Sequence, residues 1–125
     1  MKTDQQQTGQ YGEELAYQHL QEQRYEILET NWRDGRAEID LIARSPRGIL
    51  IFVEVKTRAT DQFGEPEIAV DRKKQALLVK AATAYMFEHE YEGEIRFDVI
   101  SIILPPIGTP TVRHLPDAFF PPLGG

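Results

Sequence analysis

Residues 49–58 read ILIFVEVKTR, and this stretch decides the fold. Ile49, Leu50, Ile51, Phe52, Val53 and Val55 make an apolar run of strand-forming residues, broken only by Glu54 and Lys56. A strand with one wet face alternates apolar and polar residues, whereas a strand covered on both faces is apolar throughout. The run is too apolar for a wet second face. Side chains alternate across a strand, so Phe52, Glu54 and Lys56 project from the same face. A carboxylate and an amine emerging from a covered sheet mark its open end. The bland alternative is a solvated ion pair on an exposed face.

The stretches on either side extend the sheet. Residues 25–30 (YEILET) read as a strand, NWRDG (31–35) as a turn with Asp34-Gly35 as its signal, AEIDLIAR (37–44) as a second strand and SPRG (45–48) as another turn. With 49–58 these form an antiparallel meander. A helix at 9–23 precedes it, with Gly12, Ala16 and Leu20 as the inner stripe and Leu15 and Tyr17 beside them. On that wheel Glu13 lies about 60° from Ala16 and Glu14 about 160° away, facing water. ATDQFGEP (59–66) reads as a loop, followed by a helix over 67–89 with Val70, Leu77, Ala81 and Ala84 inward and Leu78 and Tyr85 at their side. EIRFDVISIIL (94–104) is a fourth strand that joins the sheet by a crossover.

Six of the eight prolines follow Leu104, which excludes a central strand or long helix there. The reading is one domain over 9–104 and a Pro-rich tail over 105–125. The tail ends in PDAFFPPLGG, with two exposed-looking phenylalanines, and packs across the domain or makes a dimer contact.

The whole chain has 125 residues, 41% of them hydrophobic, which is enough for one core. It contains no cysteine, so disulfides and Cys-based zinc sites are excluded. No segment resembles a signal peptide or approaches the length of a membrane span, so a cytoplasmic location is expected. The net charge is −6. Residues 24–80 hold eleven Lys/Arg against ten acids, while both ends are acidic. A protein that holds nucleic acid by charge alone has a different balance. This one fits a site that carries acids for a reason.

The hairpin around SPRG brings Asp40 near Glu54, with Glu38 on the Asp40 face. Two close carboxylates repel unless a proton or cation lies between them. Lys56 supplies one charge. A hard divalent ion such as Mg²⁺ supplies more, with the Val55 carbonyl as a further oxygen ligand. The set suits phosphodiester hydrolysis: the ion on Asp40 and Glu54 polarises a phosphate oxygen and activates water, and Lys56 orients that water or stabilises the developing charge. A glycosidase also uses two carboxylates but has less use for the lysine. Lys73, Lys74, Arg58, Arg33 and Arg36 are candidates for phosphate contact, each weighed against a solvated flank. Gln75 points away from the inner stripe. His19, His89 and His114 share no metal-ligand spacing and read as surface or helix-flank residues, and Trp32 reads as a cover over the core.

Asp40, thirteen intervening residues and Glu54-Val55-Lys56 resemble the D…(D/E)-x-K core of the PD-(D/E)XK nuclease superfamily. GEELA (12–16), NWR (31–33), EIDLIA (38–43), FVEVKTR (52–58), FG (63–64), AVDRKKQ (69–75) and RFDV (96–99) sharpen this to a resemblance to the YraN-like family of bacterial proteins, similar in organisation to archaeal Holliday-junction resolvases. Ala37 stands where that family usually has Gly, and Ile39 where the superfamily has Pro. The resemblance implies an α/β (α+β) restriction-endonuclease-like fold: a central mixed sheet with helices on both sides. It implies Asp40, Glu54 and Lys56 as the catalytic core, with Glu13 as the helix-borne acid. The expected activity is Mg²⁺- or Mn²⁺-dependent cleavage of DNA, including branched DNA, for which a resolvase needs a homodimer. The alternative is a non-catalytic nucleic-acid-binding or assembly module on the same fold.

Overall fold

The computed structural model describes residues 3–59 and 71–119, Gln5 by its backbone alone. Helix α1 (Asp4–Glu22) leads into strands β1 (Glu26–Asp34), β2 (Ala37–Arg44) and β3 (Leu50–Arg58). Helix α2 (Arg72–Glu88), β4 (Ile95–Ile103) and β5 (Thr111–Leu115) complete the order. The strands lie side by side as β1-β2-β3-β4-β5. All neighbours are antiparallel except β3 and β4, which run parallel in register from Leu50↔Ile95 to Arg58↔Ile103. The connection through α2 is the expected crossover. The result is an α+β fold with a mixed sheet and, among the described residues, one helix on each face.

Each face has its own apolar layer. Ala16 and Leu20 of α1 pack on Leu41, Ala43, Ile51, Val53, Ile100 and Ile102. Leu78, Ala81, Ala82 and Tyr85 of α2 pack on Ile39, Ile42, Leu50, Phe52, Phe97 and Val99. Strand β3 thus feeds Ile51 and Val53 to one helix and Leu50 and Phe52 to the other, which explains its unbroken apolar run.

Some boundaries move. Helix α1 starts five residues before the expected Gly9, because Thr3 and Gln6 form a capping box: each side chain bonds the other's backbone. Strand β1 continues through Asn31, Trp32, Arg33 and Asp34, so NWRDG is mostly strand and the turn narrows to Gly35 and Arg36. Gly35 has φ +60°, the left-handed conformation that suits glycine. Helix α2 is capped by Asp71, whose side chain accepts from Lys74 N at 2.8 Å. Val70 lies outside the described residues. Leu77, expected inward, is exposed, because the aromatic Tyr85 sets the helix rotation by meeting Trp32 and Phe52 edge-on at 5.4 and 6.1 Å. Proline-bracketed Thr111–Leu115 is a fifth, edge strand, a position where flanking prolines are tolerated. Phe119 is buried and stacked on Phe97 at 5.0 Å, not exposed; Phe120 lies outside the described residues. Among the described residues no helix is long and apolar enough to cross a membrane.

Candidate active site

The cleft begins where the sheet comes apart. Strands β2 and β3 pair from Arg44↔Leu50 to Leu41↔Val53. At the next position the Asp40 side chain takes over, its Oδ2 accepting from Val55 N at 2.7 Å. Strand β2 rolls over at this point: Ile39 packs in the α2 layer and Leu41 in the α1 layer, although an unbroken strand puts both on one face. The pairing of β1 with β2 runs from Glu26↔Arg44 to Asp34↔Ala37, and between its Thr30↔Leu41 and Trp32↔Ile39 pairs Asn31 adopts φ +50°. Asparagine tolerates the left-handed region better than most residues.

Three further acids meet there. Glu13 arrives on α1, Glu38 on β2 and Glu54 on β3, and with Asp40 they line an open cleft of about 870 Å³. Asn31 Nδ2 donates to Glu38 at 3.0 Å and to Glu13 at 3.2 Å, tying α1 to β2. One oxygen each of Glu13, Glu38 and Asp40 lie within 4.8 Å of one another. Gly12 lets α1 approach: a Cβ there meets Thr57 Oγ1 at 2.0 Å and its Cβ and Cγ2 at 3.0 Å. Glu13 follows directly.

The electrostatics are those of crowded anions. Burial and then the Glu54 charge raise the Asp40 carboxyl to about 8, with Glu13 adding to the rise against the Val55 N–H bond. Burial raises Glu13 also, partly offset by Asn31. Glu54 is buried, with its Oε1 in an ion pair with Lys74 Nζ and 4.0 Å from Lys56 Nζ. Burial works against the Lys74 ammonium, but the hydrogen bond and charge of Glu54 outweigh it and hold its pKa above the ordinary lysine value.

The residues expected at a site are thus placed unequally. Asp40, Glu54, Glu13, Glu38, Val55, Lys74 and Arg33 line the cleft, with Arg33 paired to Glu38 at 3.1 Å. Lys56 is absent from the described lining, and its Nζ lies 4.0 Å from Glu54 Oε1. Arg36 and Lys73 are exposed and away from it, and Arg58 borders a separate cavity with Asp4 and Tyr11. Gln75 is half-buried. Asn31 also lines the cleft, from a stretch whose sequence reads as a turn.

The oxygen-only donor set of Glu13, Glu38 and Asp40 fits a hard divalent cation. The close oxygen set is Glu13, Glu38 and Asp40, while the expected partner Glu54 stands on the Lys74 side of the cleft.

At the other end of the sheet a second polar cluster forms. Asp98, fully buried, accepts two bonds from Arg96 at 2.8 Å, one from His114 Nε2 at 2.7 Å and one from Asp117 N at 3.1 Å. Arg96 also bonds the Tyr25 hydroxyl, and His19 Nε2 lies 3.3 Å from His114 Nδ1. His19 and His114 are therefore half-buried partners of one network rather than surface residues, while His89 caps α2 beside Tyr85.

A mixed sheet between two helices, with carboxylates converging where two strands part, defines an α+β protein built around an acidic cleft. The chain matches the family described as "Uncharacterised protein family UPF0102" over residues 12–102, and it belongs to that family. It is 49% identical over 113 residues to a UPF0102 protein of Christiangramia forsetii, covering 90% of this chain and 92% of the relative. It is 40% identical over 112 residues to one of Trichlorobacter lovleyi, covering 89% and 88%. Among solved structures it is similar to Pyrococcus furiosus SfsA in complex with Ca²⁺, with 18% identity and a TM-score of 0.36. That likeness covers 90% of this chain, which spans 64% of the SfsA chain.

Proposed function

We propose that the protein is a metal-dependent endonuclease that hydrolyses DNA phosphodiester bonds, with branched DNA as the substrate shape. The observation carrying this reading is the seat of Asp40 at the divergence of β2 and β3, where acids from α1, β2 and β3 share one open cleft and burial and the neighbouring Glu54 charge raise the Asp40 carboxyl. Asp40 with Glu54 and the Val55 carbonyl, supported by Glu13 and Glu38, would hold Mg²⁺ or Mn²⁺. Such an ion neutralises charge on the phosphate and lowers the pKa of water. The chain's own residues do the rest. Asn31 fixes the directions of Glu13 and Glu38, Lys56 balances Glu54, and Arg33 and Lys74 stand where a phosphate backbone would enter. Arg36, Arg58 and Lys73 extend the contact outward, and a homodimer would supply paired cuts.

A second reading, a nucleic-acid-binding or assembly module without catalysis, is favoured by the net charge of −6 and by the scatter of Arg36, Arg58 and Lys73 away from the cleft. The deciding assay offers single strands, duplexes, flaps and four-way junctions with Mn²⁺ and Mg²⁺. Cleavage by the parent and none by Asp40→Asn supports the nuclease and names its substrate shape. Binding without cleavage, or equal cleavage by both proteins, supports the module.

A further inference from the structure

The D…(D/E)-x-K pattern assigns the positive charge of the cleft to Lys56. The geometry points elsewhere. Both lysines address the same oxygen, Glu54 Oε1, but Lys74 pairs with it closely while Lys56 stands 4.0 Å away. Lys74 lines the cleft, as Lys56 does not among the described residues. The Lys74 side chain is 44% exposed against 23% for Lys56, so it has the freer path into the cleft. Its backbone is fixed, because Asp71 caps α2 by accepting from Lys74 N at 2.8 Å. A fixed root and a mobile four-carbon stem make a point charge that can change partners.

We propose that Lys74 is the cation that binds the phosphate to be cleaved, resting on Glu54 until a divalent ion takes that carboxylate. This rests on the metal-dependent reading above and deepens it. With a divalent ion on Glu54, the Lys74 ammonium would lose its anchor and be repelled. The charge released meets the next anion to enter, a non-bridging phosphate oxygen. During hydrolysis a water oxygen bonds to phosphorus and the bond from phosphorus to the leaving sugar oxygen breaks. The bond pair leaves with that oxygen, which takes a proton from solvent, while the water's surplus proton is lost to solvent. Lys74 keeps its proton throughout and holds the phosphoryl oxygens as negative charge grows on them.

The proposal predicts opposite signs for two affinities. Without DNA, Lys74→Met removes a competitor for Glu54, so Mn²⁺ measured by isothermal titration binds roughly three- to tenfold more tightly, as expected for losing one close charge. In Ca²⁺, a labelled four-way junction followed by fluorescence anisotropy binds the same variant more weakly by about the same factor. Lys74→Arg retains junction binding, and Lys80→Met, on the exposed side of α2, changes neither affinity. Thermal melts of each variant confirm folding. Unchanged or weaker Mn²⁺ binding by folded Lys74→Met overturns the proposal alone, as does unchanged junction binding. Absence of Mn²⁺ binding by the parent overturns it together with the metal-dependent reading.

Discussion

Asp98 and Asp40 lie in one sheet, and their surroundings treat them in opposite ways. Asp98 is fully enclosed on β4. Burial would raise its pKa, but the Arg96 and His114 bonds, with the Asp117 N–H, outweigh burial and hold it below the ordinary carboxylate value. Asp40 is half-buried, has one backbone donor and is crowded by Glu54 and Glu13, so it is raised to about 8. Asp98 is met by cationic side chains and a backbone donor, whereas Asp40 is crowded mainly by other acids. A carboxylate perturbed in that way within a cleft is a candidate functional group.

The largest test breaks the satisfied side. Asp98→Ala strands Arg96 and His114 in a buried site and costs about 3–5 kcal/mol, read as a lower urea midpoint. Asp40→Asn does the reverse: it removes an acid from a crowded anionic site and raises metal-free stability at pH 8–9 by about 1–3 kcal/mol.

The pH dependence sharpens the same contrast. The folded value of Asp40 lies above its unfolded value near 3.8, so its contribution is fully present below that value and is lost as pH rises through about 8. The folded value of Asp98 is depressed, so its contribution is present above the unfolded value and is lost as pH falls below it. Urea titrations in EDTA should show the decline between about pH 4 and 8 flattened in Asp40→Asn, with the more acid decline retained. A parent curve without the decline from about pH 4 to 8 removes the distinction between the two sites.

Mn²⁺ is the next lever. It should raise the parent's melting temperature by several degrees at saturation and leave Asp40→Asn unmoved. Gly12→Ala forces α1 off Thr57, costing about 1–3 kcal/mol. Thr57→Ala in the same chain recovers part of that loss by removing the Oγ1 and Cγ2 contacts. The smallest effect is at Asn31. Asn31→Gly keeps the φ +50° backbone while removing the amide that ties Glu13 to Glu38. It should weaken Mn²⁺ binding with a stability change of about 1 kcal/mol or less.

Much of the sheet was legible because β3 carries its environment in its composition: Ile51 and Val53 for one helix, Leu50 and Phe52 for the other. The inner stripe of α1 at Gly12, Ala16 and Leu20 is buried as the wheel indicates, and the placing of Glu13 over Glu14 agrees with the cleft lining. What stayed hidden depends on contacts distant in sequence. No period reveals that Tyr85 rotates α2 and exposes Leu77, or that RFDV needs His114 and Asp117 to satisfy its aspartate. Asn31 could be found only by letting an asparagine stand inside a strand. Thr3 and Gln6 were readable, since Thr-x-x-Gln is a capping-box spacing, yet the polar run around them looks like a frayed end.

The edge position of β5 bears on how the molecule is made. Every described residue of the cleft, from Gln6 to Lys74, leaves the ribosome before β4 and β5. At that stage β3 has one neighbour, and neither Asp98 nor its partners on β4 and β5 have been made. A copy halted before Thr111 carries all the cleft acids yet leaves β4 with an open edge and Asp98 without His114. Closing the edge of β4 and satisfying Asp98 thus wait on β5, which follows every described cleft residue in the chain.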